Sequence, residues 1–161
     1  MTLEKMLQQK LSEWRPTGTG RHTLTIPDEG AGWTAHLTTE RNDTLGCQVW
    51  ELTLRRTTAA APAADLQSWA NRAAQRVTGL MEKLAVIEVD AARHEAQLRS
   101  EKPTTRGDLH SYYEVLLKGD REAQVRRFQA NQQPGSHREQ TAFVLTHETL
   151  GQLAADLTAA G

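Results

Sequence analysis

The 161-residue chain is poor in several things at once: one cysteine, eight aromatic side chains in all, five prolines, and no surplus of either charge. Each scarcity excludes something. A single thiol, Cys47, allows no intrachain disulfide, so a disulfide-stapled secreted scaffold is ruled out and a reducing compartment fits. Nineteen basic residues stand against twenty acidic ones. A dedicated polyanion binder would show a basic excess. The balance also holds in each half, with nine of each sign up to residue 82 and ten basic against eleven acidic beyond it. No apolar run approaches the ~20 residues of a membrane helix. The first fourteen residues, broken by Glu4, Lys5 and Lys10, lack the continuous apolar region of a signal peptide. A cytoplasmic location is expected.

What is present is periodicity. Leu3, Met6, Leu7, Leu11 and Trp14 recur at steps of three and four, which predicts a helix over residues 3 to 14 ended by Pro16, Gly18 and Gly20. Alternation then predicts strands over 22–26, 33–40 and 48–56. The small-residue stretch 57–64 reads as a connector. A second amphipathic helix is expected over 63–82, with Leu66, Trp69, Ala70, Ala73, Val77, Leu80 and Met81 on one stripe. Strands follow over 84–89 and 93–100, a hairpin turning at Gly119-Asp120 joins 111–118 to 121–130, and a last strand covers 139–145. Thr146 suits the N-cap of a closing helix.

The expected fold is α+β. One antiparallel sheet of about six to eight strands, in the order α-βββ-α-βββββ-α, carries its helices on one face. Residues 1–161 make a single domain. Two short matches suggest an internal duplication: Ala35–Glu40 resembles Ala96–Glu101, and Trp50–Leu54 resembles Tyr113–Leu117. The halves would span about 1–56 and 63–130, with a strand and helix added over 139–160. The element order loosely resembles that of small dimeric secretion chaperones, which also set helices against a twisted sheet. No motif accompanies that likeness, and function does not follow from it.

A sheet covered on one side should be polar on the other. Alternation assigns Ala35, Leu37, Trp50, Leu52, Leu54, Ala96, Leu98, Tyr113, Val115, Leu117, Phe143 and Leu145 inward, with all four tryptophans. Outward it places Cys47, Val49, Glu51, Thr53 and Arg55, and His110, Tyr112, Glu114, Leu116 and Lys118. Val49, Glu51, Tyr112, Glu114, Leu116 and Val144 are therefore the candidate binding residues of an open sheet face or a dimer surface. The favoured function is a non-catalytic cytoplasmic binding or adaptor module, its partner a protein or a second copy of the chain. Two alternatives come from other classes. Arg93, Arg99, Arg121, Arg126 and Arg127 with Tyr112 and Phe128 could form a stacking platform for single-stranded nucleic acid. Glu51 and Glu114, at equivalent repeat positions, could pair for acid/base catalysis. No cofactor or metal is expected. The six histidines are scattered without HxH or HExxH spacing, and no glycine-rich phosphate motif occurs.

Overall fold

The computed structural model describes residues 1–58 and 65–161. Most of the expected connector, and the first residues of the helix expected at 63, lie outside the described residues. The chain order is α1 (Leu3–Glu13), β1 (His22–Ile26), β2 (Trp33–Asn42), β3 (Gly46–Arg56), α2 (Leu66–Arg76), β4 (Leu84–Asp90), β5 (Glu95–Ser100), β6 (Thr104–Arg106), β7 (Leu109–Lys118), β8 (Glu122–Asn131), β9 (Glu139–Thr141), β10 (Phe143–Thr146) and α3 (His147–Ala160). The architecture is α+β, with three helices packed against one antiparallel sheet among the described residues.

Seven strands lie side by side in the order β1-β2-β3-β8-β7-β5-β4. Two rows of apolar side chains cross all seven. One reads Leu24, Leu37, Leu52, Val125, Val115, Leu98, Val86; the other reads Ile26, Ala35, Leu54, Ala123, Leu117, Ala96, Val89. Cross-strand neighbours on one face sit about 5 Å apart, so each row is one continuous band of contacts. The helices lie on these bands and share one core with them. α3 packs between α1 and α2. It approaches α1 closely at Gly151, where a Cβ would come within 3.1 Å of the Glu4 carbonyl oxygen. Trp69 Nε1 donates to Leu157 O at 3.0 Å and Arg72 Nε to Ala160 O at 2.7 Å, tying α2 to α3.

Each helix starts on a side-chain cap, as expected at Thr146, while Asp65 is the extended cap of a helix beginning at Leu66 rather than at 63. Thr2, Asp65 and Thr146 accept from the backbone N–H three residues on, at 3.2, 2.7 and 3.1 Å. Asn42 closes the far end of α1, its Nδ2 donating to Leu11 O and Trp14 O while its Oδ1 sits 2.8 Å from His147 Nε2. One side chain thereby joins α1, β2 and α3.

The two stretches that look duplicated occupy the same rows, Ala35 and Leu37 in one set, Ala96 and Leu98 in the other. β3 and β7 both run antiparallel to β8, so they run parallel to each other. Their sets lead outward from β8 in opposite directions and turn the same face to the helices. That layout is mirror-like, and no rotation carries one three-strand set onto the other.

Several expectations need correction. α2 stops at Arg76, because Thr78 and Gly79 are poor helix formers and Val77 is already extended. Met81, expected on the apolar stripe, is 97% exposed with φ 61°. The last strand is two pieces. Below their paired stretch at Leu52–Arg55 and Glu122–Val125, β3 and β8 part company. β9 pairs with β8 over residues 127–129 and β10 with β3 over 46–49, so the segment fills the gap and breaks at Ala142. The short β6, pairing with β7, is additional to the expected strands.

The chief correction concerns β3. Thr38 pairs with Glu51 but Thr39 pairs with Val49, so Trp50 is the extra residue of a bulge. A bulge shifts the side-chain phase by one. Cys47 and Val49 therefore point into the core, at 1% and 0% exposure, along with Leu52 and Leu54. Val49 is not a surface residue, and Trp50 is only half-buried, off the core face.

Candidate functional site: the helix-free sheet face

Among the described residues no helix covers the second face of the sheet. Period-two alternation brings three rows of side chains to it. Thr53, Gln124, Leu116 and Gln97 form one row across β3, β8, β7 and β5. The next contains Arg126, Glu114 and Arg99, and beyond it Gln140, Phe128 and Tyr112 line up on β9, β8 and β7.

Glu114 stands at the centre and is only 3% exposed, although no element lies over it. Its cover is made of side chains. Arg126 Nη2 approaches Oε1 at 3.4 Å, Arg99 Nη2 approaches Oε2 at 3.8 Å, and Gln97 Nε2 donates to Oε2 at 3.3 Å. Arg138, from the loop leading into β9, donates Nη1 to the same Oε2. The guanidiniums also lie on aromatic rings, Arg99 over Tyr112 at 4.8 Å to the centroid, Arg126 and Arg138 over Phe128 at 5.1 and 3.9 Å. Tyr112 and Phe128 are tilted against each other at 6.1 Å, and His110 continues the series at 6.4 Å from Tyr112. Stacked planar forks lose little freedom on pairing with carboxylates, which makes this a preorganised lattice. Burial works against the charge of Arg138, yet its hydrogen bonds with Tyr112 and Glu114 outweigh that and raise its pKa above the usual value.

The lattice contains five of the expected residues: Tyr112, Glu114, Arg99, Arg126 and Phe128. Leu116 lies half-buried one row away. Val144, 72% exposed, is on β10 beside the exposed Leu45 and outside the lattice. Glu51 is not brought to Glu114. They lie on β3 and β7, with β8 between the two strands. Arg55 and Lys118, four residues beyond these glutamates on the same strands, converge on Glu122 at 2.7 and 3.5 Å. The proposed nucleic-acid set is also divided. Arg93 sits on the β4–β5 turn at 4.0 Å from Asp90, its side chain 77% exposed. Arg127 points to the helix side, over Tyr113 and 2.9 Å from Glu82 Oε2.

Two participants lay beyond the pattern. Arg138 lies just before the last expected strand, at 139–145, and nothing local marks its reach to Glu114. Trp50 was assigned inward, but Arg21 covers its ring at 3.6 Å. The signal was there: Cys47 and Val49 alternate out of phase with Leu52 and Leu54.

The ionisable groups nearby offer no activated nucleophile. Burial, and then the negative charge of Asp43, push the Cys47 thiol up to about 12, so a thiolate is unavailable at neutral pH. His36, on the same face as the lattice, lies 3.4 Å from Thr25 Oγ1 and 3.3 Å from Thr34 Oγ1. Burial and the nearby Arg55 lower its pKa, against a smaller opposing effect of Glu122. A hollow at the β4 side, lined by Glu88, Asp90, Arg93, Glu95, Gln97 and Leu116 among others, holds about 150 Å³, below the ~300 Å³ of ordinary small-molecule sites. Among the described residues no three His, Cys, Asp or Glu side chains gather as a metal site, and no helix is long and apolar enough to cross a membrane.

Comparison with protein families, with curated proteins and with solved structures finds no match. The functional reading therefore rests on the geometry, and the likeness to secretion chaperones stays one of element order.

Proposed function

We propose that this protein is a non-catalytic binding module whose helix-free sheet face docks a protein, either a different chain or a second copy of this one. The observation that carries the reading is the lattice around Glu114. A solvated sheet face needs no such construction, because surface ion pairs contribute little and are bought at the expense of side-chain freedom. Here a buried carboxylate, three arginines and two aromatic rings hold one another in fixed positions across three strands and the loop before β9. Fixed aromatic and arginine groups are what interface hot spots are made of. Leu116, Gln97 and Gln124 form an adjoining uncharged row suited to the interior of a contact.

The same lattice weighs against the nucleic-acid alternative. Base stacking needs an open ring face, while Tyr112 and Phe128 are 6% exposed and carry guanidiniums on their faces.

Charging this row tests the proposal. The double variant Leu116→Glu, Gln124→Glu should keep its circular dichroism and melt cooperatively, yet lose the partner that co-purifies with the tagged wild-type chain. If the partner is a second copy, sedimentation velocity at 1 to 200 μM should show wild-type dimer and variant monomer. A wild type that is monomeric at all concentrations and co-purifies with nothing contradicts the reading. So does a partner retained equally by both proteins.

A further inference from the structure

We infer that Arg99, Arg126 and Arg138 form a receptor for an acidic side chain of the docked protein, taking a second carboxylate beside Glu114. This rests on the reading of the helix-free face as the docking surface, and names the chemistry that face recognises.

The charge at the lattice is incomplete. Three guanidiniums converge within 4 Å of one carboxylate, and none of the three makes an ion pair with any other acidic group among the described residues. The cluster therefore carries two uncompensated positive charges held close together by stacking. Their mutual repulsion is only partly screened, because the side chains are 37%, 25% and 40% exposed. A second anion would relieve it.

The donors are also unspent. Each guanidinium has five N–H groups in a rigid fork. Each directs one nitrogen at Glu114, Arg138 also bonds Tyr112, and all three side chains remain a quarter to two-fifths exposed. Arg99 Nε is buried with no hydrogen-bond partner, so that fork is held by stacking on Tyr112 rather than saturated. Planar forks of this kind suit the two oxygens of a carboxylate.

The surroundings select a short acidic side chain over a long polyanion. Glu51 lies on the β3 side of the lattice, and Glu88 and Glu95 lie on the β4–β5 side. A continuous phosphate backbone crossing the face would pass over these carboxylates, whereas one Asp or Glu presented by a protein reaches only the arginines.

A labelled tetra-L-glutamate peptide, short enough to present a carboxylate to the arginines without reaching the flanking glutamates, is the probe, with the full chain in fluorescence anisotropy at 25 and 250 mM NaCl and an oligothymidylate as the competing polyanion. Binding of the peptide is expected at low salt, weaker at high salt. Arg126→Gln and Arg138→Gln should each weaken it about tenfold, while Arg76→Gln, exposed on α2, leaves it unchanged. Circular dichroism checks that the variants fold. Glu114→Gln removes the resident competitor and should tighten binding. If that variant is too unstable at low salt, the tetra-L-glutamate peptide should raise its melting temperature more than that of the wild type.

Three results overturn the inference: no wild-type binding at 25 mM NaCl, equal loss in Arg76→Gln, or preference for the oligothymidylate. Failure of the probe together with loss of the partner from the Leu116→Glu, Gln124→Glu variant would remove the carboxylate receptor and leave the docking face standing. Failure of both would remove the face as well.

Discussion

At the scale of single residues, Glu114 is the side chain on which the helix-free face depends. Its carboxylate is buried by its own partners. Replacing it with alanine leaves three guanidiniums facing one another, with two of the side chains about two-fifths exposed and able to rehydrate. The cost expected in urea unfolding is about 2–3 kcal/mol, toward the lower end of what breaking a buried ion pair costs. An unchanged midpoint would mean the arginines are already solvated. His36 makes a pH-dependent contribution. Burial and Arg55 lower its pKa in the folded state, so the unfolded chain takes up the proton first as pH falls. Its stabilising effect is complete above the unfolded value near 6.5 and is lost as pH drops through that value toward the lower folded one. Melting temperatures between pH 7.5 and 5 should therefore fall less steeply in His36→Asn than in the wild type. Equal slopes would contradict this. Part of this was legible: alternation turns Tyr112 and Glu114 to the same face, whereas Arg99, Arg126 and Phe128 were grouped only as a separate cationic set with Arg93 and Arg127, of which Arg127 turns to the helix side. Val49 was not, since strict alternation assigns it to the surface, and only an inserted residue at Trp50 turns it inward.

At the scale of elements, the β3 bulge and the broken β9–β10 segment decide what reaches the face. The bulge turns Trp50 away from the core while keeping Cys47 and Val49 in it. The break at Ala142 lets one short segment pair first with β8 and then with β3, which brings Arg138 to the lattice and lets Gln140 Nε2 donate to Trp50 O at 2.9 Å. Both are non-local. The phase break in β3 is visible in the sequence, but the splaying of β3 and β8 depends on the finished sheet. Turn chemistry was more readable. The β7–β8 turn places Gly119 at φ 57° with open space where a Cβ would stand. Gly119→Ala is expected to cost about 1 kcal/mol from backbone strain alone, measured by chemical denaturation. A neutral result would mean that the turn relaxes to another form. Between helices, Trp69→Phe removes the donor to Leu157 O from a buried site and should cost about 1–2 kcal/mol.

At the scale of the whole molecule, two transverse rows under three helices account for the modest apolar content. A 38% share of hydrophobic residues suffices because it is concentrated on one side of the sheet. The rows are best packed near their centre. Leu52→Ala, fully buried at the join of the two strand sets, should cost about 2–5 kcal/mol, and Leu24→Ala at the half-buried β1 edge distinctly less. The layering was legible because helical stripes and strand alternation both report a single covered face. The mirror-like layout was not, because short matches in sequence carry register but no handedness.

The central claim is that the helix-free face is where this protein meets another. Site-specific photo-crosslinking tests it most directly. A photoreactive phenylalanine analogue placed at Leu116, and separately at the exposed Gln152 on α3, compares the two sides of the same fold in its native cell. The account predicts a discrete, reproducible adduct from Leu116 and none from Gln152. An adduct from Gln152 alone, equal adducts from both, or none from Leu116 in a chain shown to be folded would contradict it.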